Sequence, residues 1–557
     1  MSLKTFSIMA KNGGEFAVTD PSDQEANEWT KANYLQYLLD PNFIKYEAEK
    51  DLQNEKEILK SYLDSKSHQF EIIEISPDEN KTEPDIIFTA DASQIVRKKT
   101  LSKNPENERD ETYIIFSKFG HTIRDGEVDL HKKAILQAVR DGKVFTDKEV
   151  KELSIDLNAE NLYDILKDKG RIIEAENFRE GNGNSLSDPY RGVIWSANSG
   201  RAHPDSPKEI KDKTGLKTIM LELDEKFFHI DTAMYPLPSG HFVVCEKAFK
   251  TPEDYKFFLQ KAFPDGHGGI DKIARERFEI KITPQEAEEK FMGNAVVMGN
   301  QVFIPYEDKA IDMKYDLKNA IEEIIYKDRP RVADLETLEE YKAVRDFKRL
   351  DDEPKTEEGN KKAKERFAGL EKALREKDEF KKYISEELKP EIFDEIYSQS
   401  LKGIDKLEGY LKEKGLNIDY KDIFEIANKV EDAHQKIIKY KEDLINEIKN
   451  EGEYKDKEAG IFKKLEKAGF KPVLVPMGAS VKGGGGTHCT SAFHPQNIFV
   501  NWARVYNNVK GTFLPSSAEL QDPRRLAGDQ GTTKARGDML LLSIQRVQEE
   551  KVLETHF

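Results

Sequence analysis

The chain has 557 residues, of which 35% are charged and 37% apolar, and a formal net charge of -17. That length supports two or three domains around a sizeable core. The acidic balance excludes a general nucleic-acid binder, because a phosphate backbone would be repelled.

The start of the chain reaches Lys11 and Asn12 without an apolar core of signal-peptide length. No run of about 20 apolar residues occurs, so no membrane partner is expected. Two cysteines, Cys245 and Cys489, are too few for a disulfide scaffold and fit a reducing compartment. The expected location is cytoplasmic.

Up to about Pro305, short β-branched and aromatic runs alternate with polar helical stretches. Ile86-Ile87-Phe88, Tyr113–Phe116, Val193–Trp195, Phe242–Val244 and Ala295–Met298 are strand length and bounded by Gly, Asp, Asn or Pro. This predicts an α/β core of repeated units over residues 1–308. Residues 309–464 change to helix formers rich in Lys, Glu, Leu and Ile. Ile423, Ile426, Val430, Ala433, Ile437, Tyr440, Leu444 and Ile448 follow a near-heptad spacing. The stretch reads as a coiled-coil-like helical insertion, in the form of a long antiparallel hairpin. Its plain reading is a solvated structural arm; the sharper one is a lid, or a surface for a protein partner or for self-association. Residues 465–506 return to strand patterns, with Pro472–Pro476 and Ile498–Val500, as a last core unit. The tail 507–557 is polar, with only Met539–Leu542 and the run after it helical in character.

Two places carry chemistry. Cys489 ends the run Gly-Gly-Gly-Gly-Thr-His-Cys-Thr. Glycines let a backbone approach a ligand closely, and a thiol after such a turn sits where N–H groups can polarise it. The second is Phe-Phe-His-Ile-Asp-Thr, where His229 and Asp231 would share one face of a strand. A histidine there can move protons, and a carboxylate can hold a cation. His488 reads as a loop-shaping residue, and Cys245 as a core thiol.

Together these stretches resemble the guanidino-group-modifying superfamily of arginine deiminases and dihydrolases, dimethylarginine dimethylaminohydrolases and amidinotransferases. Further stretches match in the family's order: Pro84–Asp91, Phe119–Glu127, Glu180–Leu186, Asp188–Arg191 and Gly293–Val297. The resemblance implies a five-bladed, pseudo-symmetric β/α propeller, with the helical insertion placed before the last unit. It implies Cys489 as nucleophile, His229 as acid and base, Glu180 as the partner of His229, and Asp231 as a guanidinium carboxylate. Asp85, Asp91, Asn184, Arg124 and Arg201 fall at substrate-contacting positions, the two arginines as clamps for a substrate carboxylate. Each arginine reads equally well as an ordinary salt bridge.

The implied activity is hydrolysis of arginine or a close analogue through a thiouronium intermediate, releasing ammonia or an alkylamine. An amidinotransferase would pass the group to a second amine. A rival of another class is a catalytically altered binding protein acting through its helices, and protein arginine is a further substrate to consider. Neither metal nor cofactor is expected, since no zinc or phosphate-loop pattern is present. Two positions depart from relatives: Asn184 stands where deiminases carry Asp, and Asp91 where dihydrolases carry Asn. Asp91 is therefore expected to supply the charge that Asn184 lacks. The plainer reading has Asp91 capping a turn and Asn184 stabilising a loop.

Overall fold

Short strands bounded by Gly and Asp do form, and in the computed structural model they gather into five separate sheets. The structure describes residues 5–11, 28–63, 70–76, 87–100, 108–120, 124–224, 226–347, 357–416, 418–450, 460–482, 485–494 and 496–500. Asp85, His121, Gly483, Gly484 and the tail 507–557 lie outside them.

One rule builds every sheet. An entering strand pairs antiparallel with a middle strand, which pairs in parallel with an outer one. In that order the trios are Ser93–Thr100, Arg109–Phe116 and Ile172–Glu174; Ser185–Asp188, Val193–Asn198 and Lys217–Glu222; Met234–Pro236, Phe242–Cys245 and Glu279–Ile282. The fourth is Val296–Met298, Gln301–Tyr306 and Lys471–Pro476. The fifth joins Ala492–His494 to Thr5–Ala10 and Phe70–Ile75, bringing the first described strand beside a late one. Gln496–Val500 adds an edge to the first sheet. Among the described residues, no sheet closes on itself. Middle strands such as Phe242–Cys245 and Gln301–Tyr306 are buried along their whole length, as strands covered on both faces must be. Cys245 is one of these core residues, as expected.

Parallel neighbours need a crossover connection. Helices supply it, as in Asp125–Arg140 or Pro252–Ala262. The same rule corrects the expected place of the helical stretch. Gln301–Tyr306 and Lys471–Pro476 are parallel partners, so the helices between them are one sheet's enlarged crossover and do not separate two units. By the same pairing, residues 465–506 do not form a unit of their own. They supply strands to three different sheets.

A long hairpin does not form either. The stretch folds into a cluster of helices, the longest Tyr420–Asn450, with Ala310–Ile325, Glu357–Arg375, Pro390–Lys402 and Ile404–Glu413 around it. Pro390 and Gly403 break what would otherwise run on. Ile423, Ile426 and Val430 of the heptad stripe are buried against Leu407, Leu411, Phe393 and Ile396. Fully buried Lys318 pairs with Asp40 (2.6 Å) and Glu322 (2.7 Å), tying the cluster to the start of helix Pro41–Leu63. The apolar core of these helices continues to Ile87, Phe88 and Cys489. Among the described residues, no helix is long and apolar enough to cross a membrane.

Candidate active site

Five turns, each leading into the entering strand of one sheet, meet through a cyclic chain of hydrogen bonds. They are residues 89–91, 181–184, 230–232, 292–294 and 487–490. The Ala90 N–H donates to Cys489 O (3.0 Å), Asn182 N–H to Ala90 O (2.7 Å) and Asp231 N–H to Gly183 O (3.2 Å). Asn294 Nδ2 donates to Asp231 O (3.4 Å), and His488 N–H to Asn294 O (3.2 Å), which returns to the turn of Cys489. Buried backbone groups must find partners, so each turn fixes the next. Close approach requires glycine at two of them. A Cβ on Gly183 would strike Asp91 Oδ1, and one on Gly293 would strike Thr232 O.

Two local expectations change here. Ile87 and Phe88 lie in the bend entering residues 89–91, where the Phe88 ring lies against Gly485, four residues before Cys489. His229 is extended, but Ile230–Thr232 is a 3-10 turn, held by Thr232 Oγ1 donating to His229 O (2.7 Å). His229 and Asp231 still reach the same site, through a turn and not through strand alternation.

Cys489 is buried, with Sγ 3.1 Å from Asn294 Nδ2 and 3.3 Å from Asp231 Oδ2. Burial, with Asp231 and Asp91 beside it, holds the thiol well above its usual range; the Asn294 amide offsets only part of this. The expected polarisation of the thiol by loop N–H groups is not what the site provides. The N–H groups of Gly486, His488 and Cys489 all donate to Asn294 Oδ1, at 3.0 to 3.1 Å.

His229 Nε2 lies 2.6 Å from Glu180 Oε2, leaving Nδ1 towards Asp91 Oδ1 at 3.7 Å. Burial alone would lower this histidine's pKa; Asp91, Glu180 and Asp231 outweigh it and raise the pKa above the ordinary value. Burial would raise Glu180, but Arg201, His229 and Arg124 hold it below the usual carboxylate range. Arg201 Nη1 is 3.2 Å from Glu180 Oε1. Asp91 Oδ2 accepts both terminal nitrogens of Arg124 at 3.3 Å, and burial pushes this carboxyl up to about 6. Arg124 also forks onto Glu127 at 2.8 and 2.9 Å. Asn184 Nδ2 donates to Ala197 O (3.1 Å). His488, expected only to shape its loop, places Nδ1 2.8 Å from Asp231 Oδ2.

Among the described residues, the buried atoms of these turns and of His229 without a hydrogen-bond partner include Asp91 Oδ1, Asp231 Oδ1, Asn184 Oδ1 and His229 Nδ1, together with both side-chain polar atoms of Asn182 and Thr487 Oγ1. Two trios, His229–Asp231–Cys489 and Asp91–Glu180–His229, present ligating atoms within 4.8 Å of one another and are the described groups a metal ion could engage.

No family model and no curated protein matches the chain. Three solved structures are similar to part of the chain. One is the N-terminal domain of ArgZ with substrate bound, an arginine dihydrolase from the ornithine–ammonia cycle in cyanobacteria. It is 17% identical over 56% of this chain and 88% of that one, with a TM-score of 0.36. AgrE with ornithine and NAD+ is 19% identical over 56% of this chain and 35% of that one, at 0.35. DDAH from Pseudomonas aeruginosa with citrulline is 13% identical over 55% of this chain and 85% of that one, at 0.30.

Of the sequence-predicted residues, Cys489, His229, Asp231, Glu180, Asp91, Asn184, Arg124 and Arg201 gather in this cluster. Asn294 received no role from sequence reasoning, although it stands in the quoted run Gly293–Val297. The available signal was its position: like Asp91 and Asp231, it is a short polar residue at the entrance to a strand.

Proposed function

We propose that the protein is a cysteine-dependent hydrolase of a guanidino compound, arginine or a close analogue. The observation that carries this reading is the pair of buried, unpartnered acceptors Asp91 Oδ1 and Asp231 Oδ1 in the cluster that holds the Cys489 thiol. A buried carboxylate oxygen calls for a donor. A guanidinium is planar, cationic and rich in N–H groups, so it can serve both.

Bound there, the cation offsets the two carboxylates that hold the thiol up, and the Cys489 proton passes to Asp231 Oδ2, which it already approaches. The sulfur attacks the central guanidinium carbon. His229, oriented by Glu180, protonates the departing amine from Nδ1, the C–N bond breaks, and a thiouronium remains on Cys489. Water then gives a proton to the same nitrogen and attacks the carbon. The C–S bond breaks, the ureido product leaves and the thiol regains its proton. In this reading Asp91 supplies the charge that neutral Asn184 cannot.

The same reading takes the five sheets as blades of a pseudo-symmetric β/α propeller about the site, which the cyclic bonding of the turns supports. Residues 309–464 then form one wall of the site region, supported by the apolar core they share with Phe88 and Cys489.

Mass spectrometry of the protein mixed with arginine, methylarginines or agmatine tests the proposal. An adduct on Cys489, absent in Cys489→Ser, with a ureido product is the expected result. Product formation only with a second amine would make it an amidinotransferase. Inertness towards every guanidino compound would overturn the proposal in favour of a binding protein.

A further inference from the structure

The nucleophile loop is gripped from below by one helix. Pro41–Leu63 carries Asp51 and Glu55 one turn apart, on the same face. Glu55 is fully buried, and each of its oxygens accepts a different hydroxyl: Oε1 from Ser491 Oγ and Oε2 from Thr490 Oγ1, both at 2.5 Å. These are the two residues that follow Cys489. Thr490 Oγ1 also lies 3.2 Å from the carbonyls of Gly486 and Thr487, so its hydroxyl knits the turn to the helix. Asp51 Oδ2 accepts the N–H groups of Ala479 (2.7 Å) and Ser480 (3.0 Å), just before the glycine run. The two carboxyl groups thus hold both flanks of a segment whose four glycines have little stiffness of their own.

A carboxyl group at Glu55 is an expensive choice. Burial pushes it up to about 8, and its hydrogen bonds to Ser491 and Thr490 offset only part of that. Its apolar neighbours on the same helix, Leu52 and Leu59, show what the position would hold if packing alone mattered.

We infer that Glu55 is a positioning residue which, through Thr490 and Ser491, sets Cys489 Sγ against Asp231 and Asn294. The inference rests on the nucleophilic role proposed for Cys489. Without the brace the turn relaxes, Sγ moves away from the Asp231 carboxylate, and attack geometry is lost.

The test compares the full chain with Glu55→Ala, Glu55→Gln and the double variant Thr490→Val/Ser491→Ala. Cys489 alkylation by iodoacetamide is followed against pH by peptide mass spectrometry. Buried Cys245 serves as an internal reporter of unfolding. Glu55→Ala and the double variant should move the alkylation midpoint to lower pH, as the thiol leaves its carboxylate neighbour. They should lower kcat by roughly 10- to 100-fold at nearly constant KM. Glu55→Gln keeps the shape, one acceptor oxygen for a hydroxyl and an amide N–H that can donate to the other hydroxyl oxygen, so it should restore most of each.

An unmoved midpoint in a folded Glu55→Ala protein overturns the inference, whether or not kcat falls. So does an unmoved midpoint in the double variant, which also decides the matter if Glu55→Ala unfolds and exposes Cys245. If the wild-type protein turns over no guanidino compound, the midpoint alone still decides whether the brace exists. The failure of the functional reading and the failure of this one are therefore distinguishable.

Discussion

Around Cys489, five turns are held by hydrogen bonds that converge on single polar atoms; Asn294 Oδ1 alone receives three backbone N–H groups. In the helices between Tyr306 and Lys471, apolar side chains such as Ile426, Leu407 and Phe393 share the work, and none is unique. A polar ring is a set of specific pairings, so removing one member leaves buried groups unsatisfied. An apolar cluster loses stability in proportion to the volume removed, and its geometry survives. The site should therefore fail at single atoms and the helices by degrees.

Asn294→Ala is the strongest way to break this contrast. It orphans the N–H groups of Gly486 and Cys489, leaves His488 N–H only the backbone carbonyl of residue 294, and removes the thiol's amide neighbour, so turnover should fall about 100-fold. Stability should fall by about 3 kcal/mol or more, measured by urea unfolding. A variant with wild-type kcat would mean that the ring is not what places the sulfur. Ile426→Ala should cost about 2–5 kcal/mol in the same unfolding assay. It should leave the pH profile of Cys489 alkylation unchanged, and a shifted profile would show that the helices and the site are one energetic unit.

A subtler effect separates charge from packing. Asp91 and Glu180 raise the His229 pKa against the effect of burial, so the stability this histidine contributes is present below its unfolded pKa near 6.5 and is lost as pH rises through the higher folded value. Glu180→Gln removes one of those carboxylates. The His229 titration followed by NMR should shift to lower pH, and the pH-dependent loss of stability should be smaller and complete at lower pH, its onset near 6.5 unchanged. Least of all, Lys436→Ala breaks only an exposed pair with Asp432 on helix Tyr420–Asn450 and should leave Tm within about 1 °C of wild type.

Much of the site was legible because the chemistry sits in short, distinctive runs. Cys489 after its glycines and His229 two residues before Asp231 could be singled out from local order, and Glu180, opening Glu-Gly-Asn-Gly-Asn, from the resemblance. Strands such as Phe242–Cys245 were legible from continuous apolar runs. Ile87-Phe88 was not, because its apolar side chains are buried in a bend dictated by a glycine about 400 residues away. Asn294 and Glu55 escaped for the same reason. Their partners lie 192 to 195 and 435 to 436 residues distant, and nothing in their neighbours announces them.

The composition and local runs of this chain thus determined an α/β core, a helix-rich segment, and a cysteine, a histidine and carboxylates in short distinctive runs. The tertiary structure decided the rest: that the helices are a crossover inside one sheet, that Thr5–Ala10 and Ala492–His494 share a sheet, and that five turns bind one another in a ring. Periodicity and residue type act over a few residues, whereas hydrogen-bond partners are chosen only when distant segments meet and buried polar groups must be satisfied.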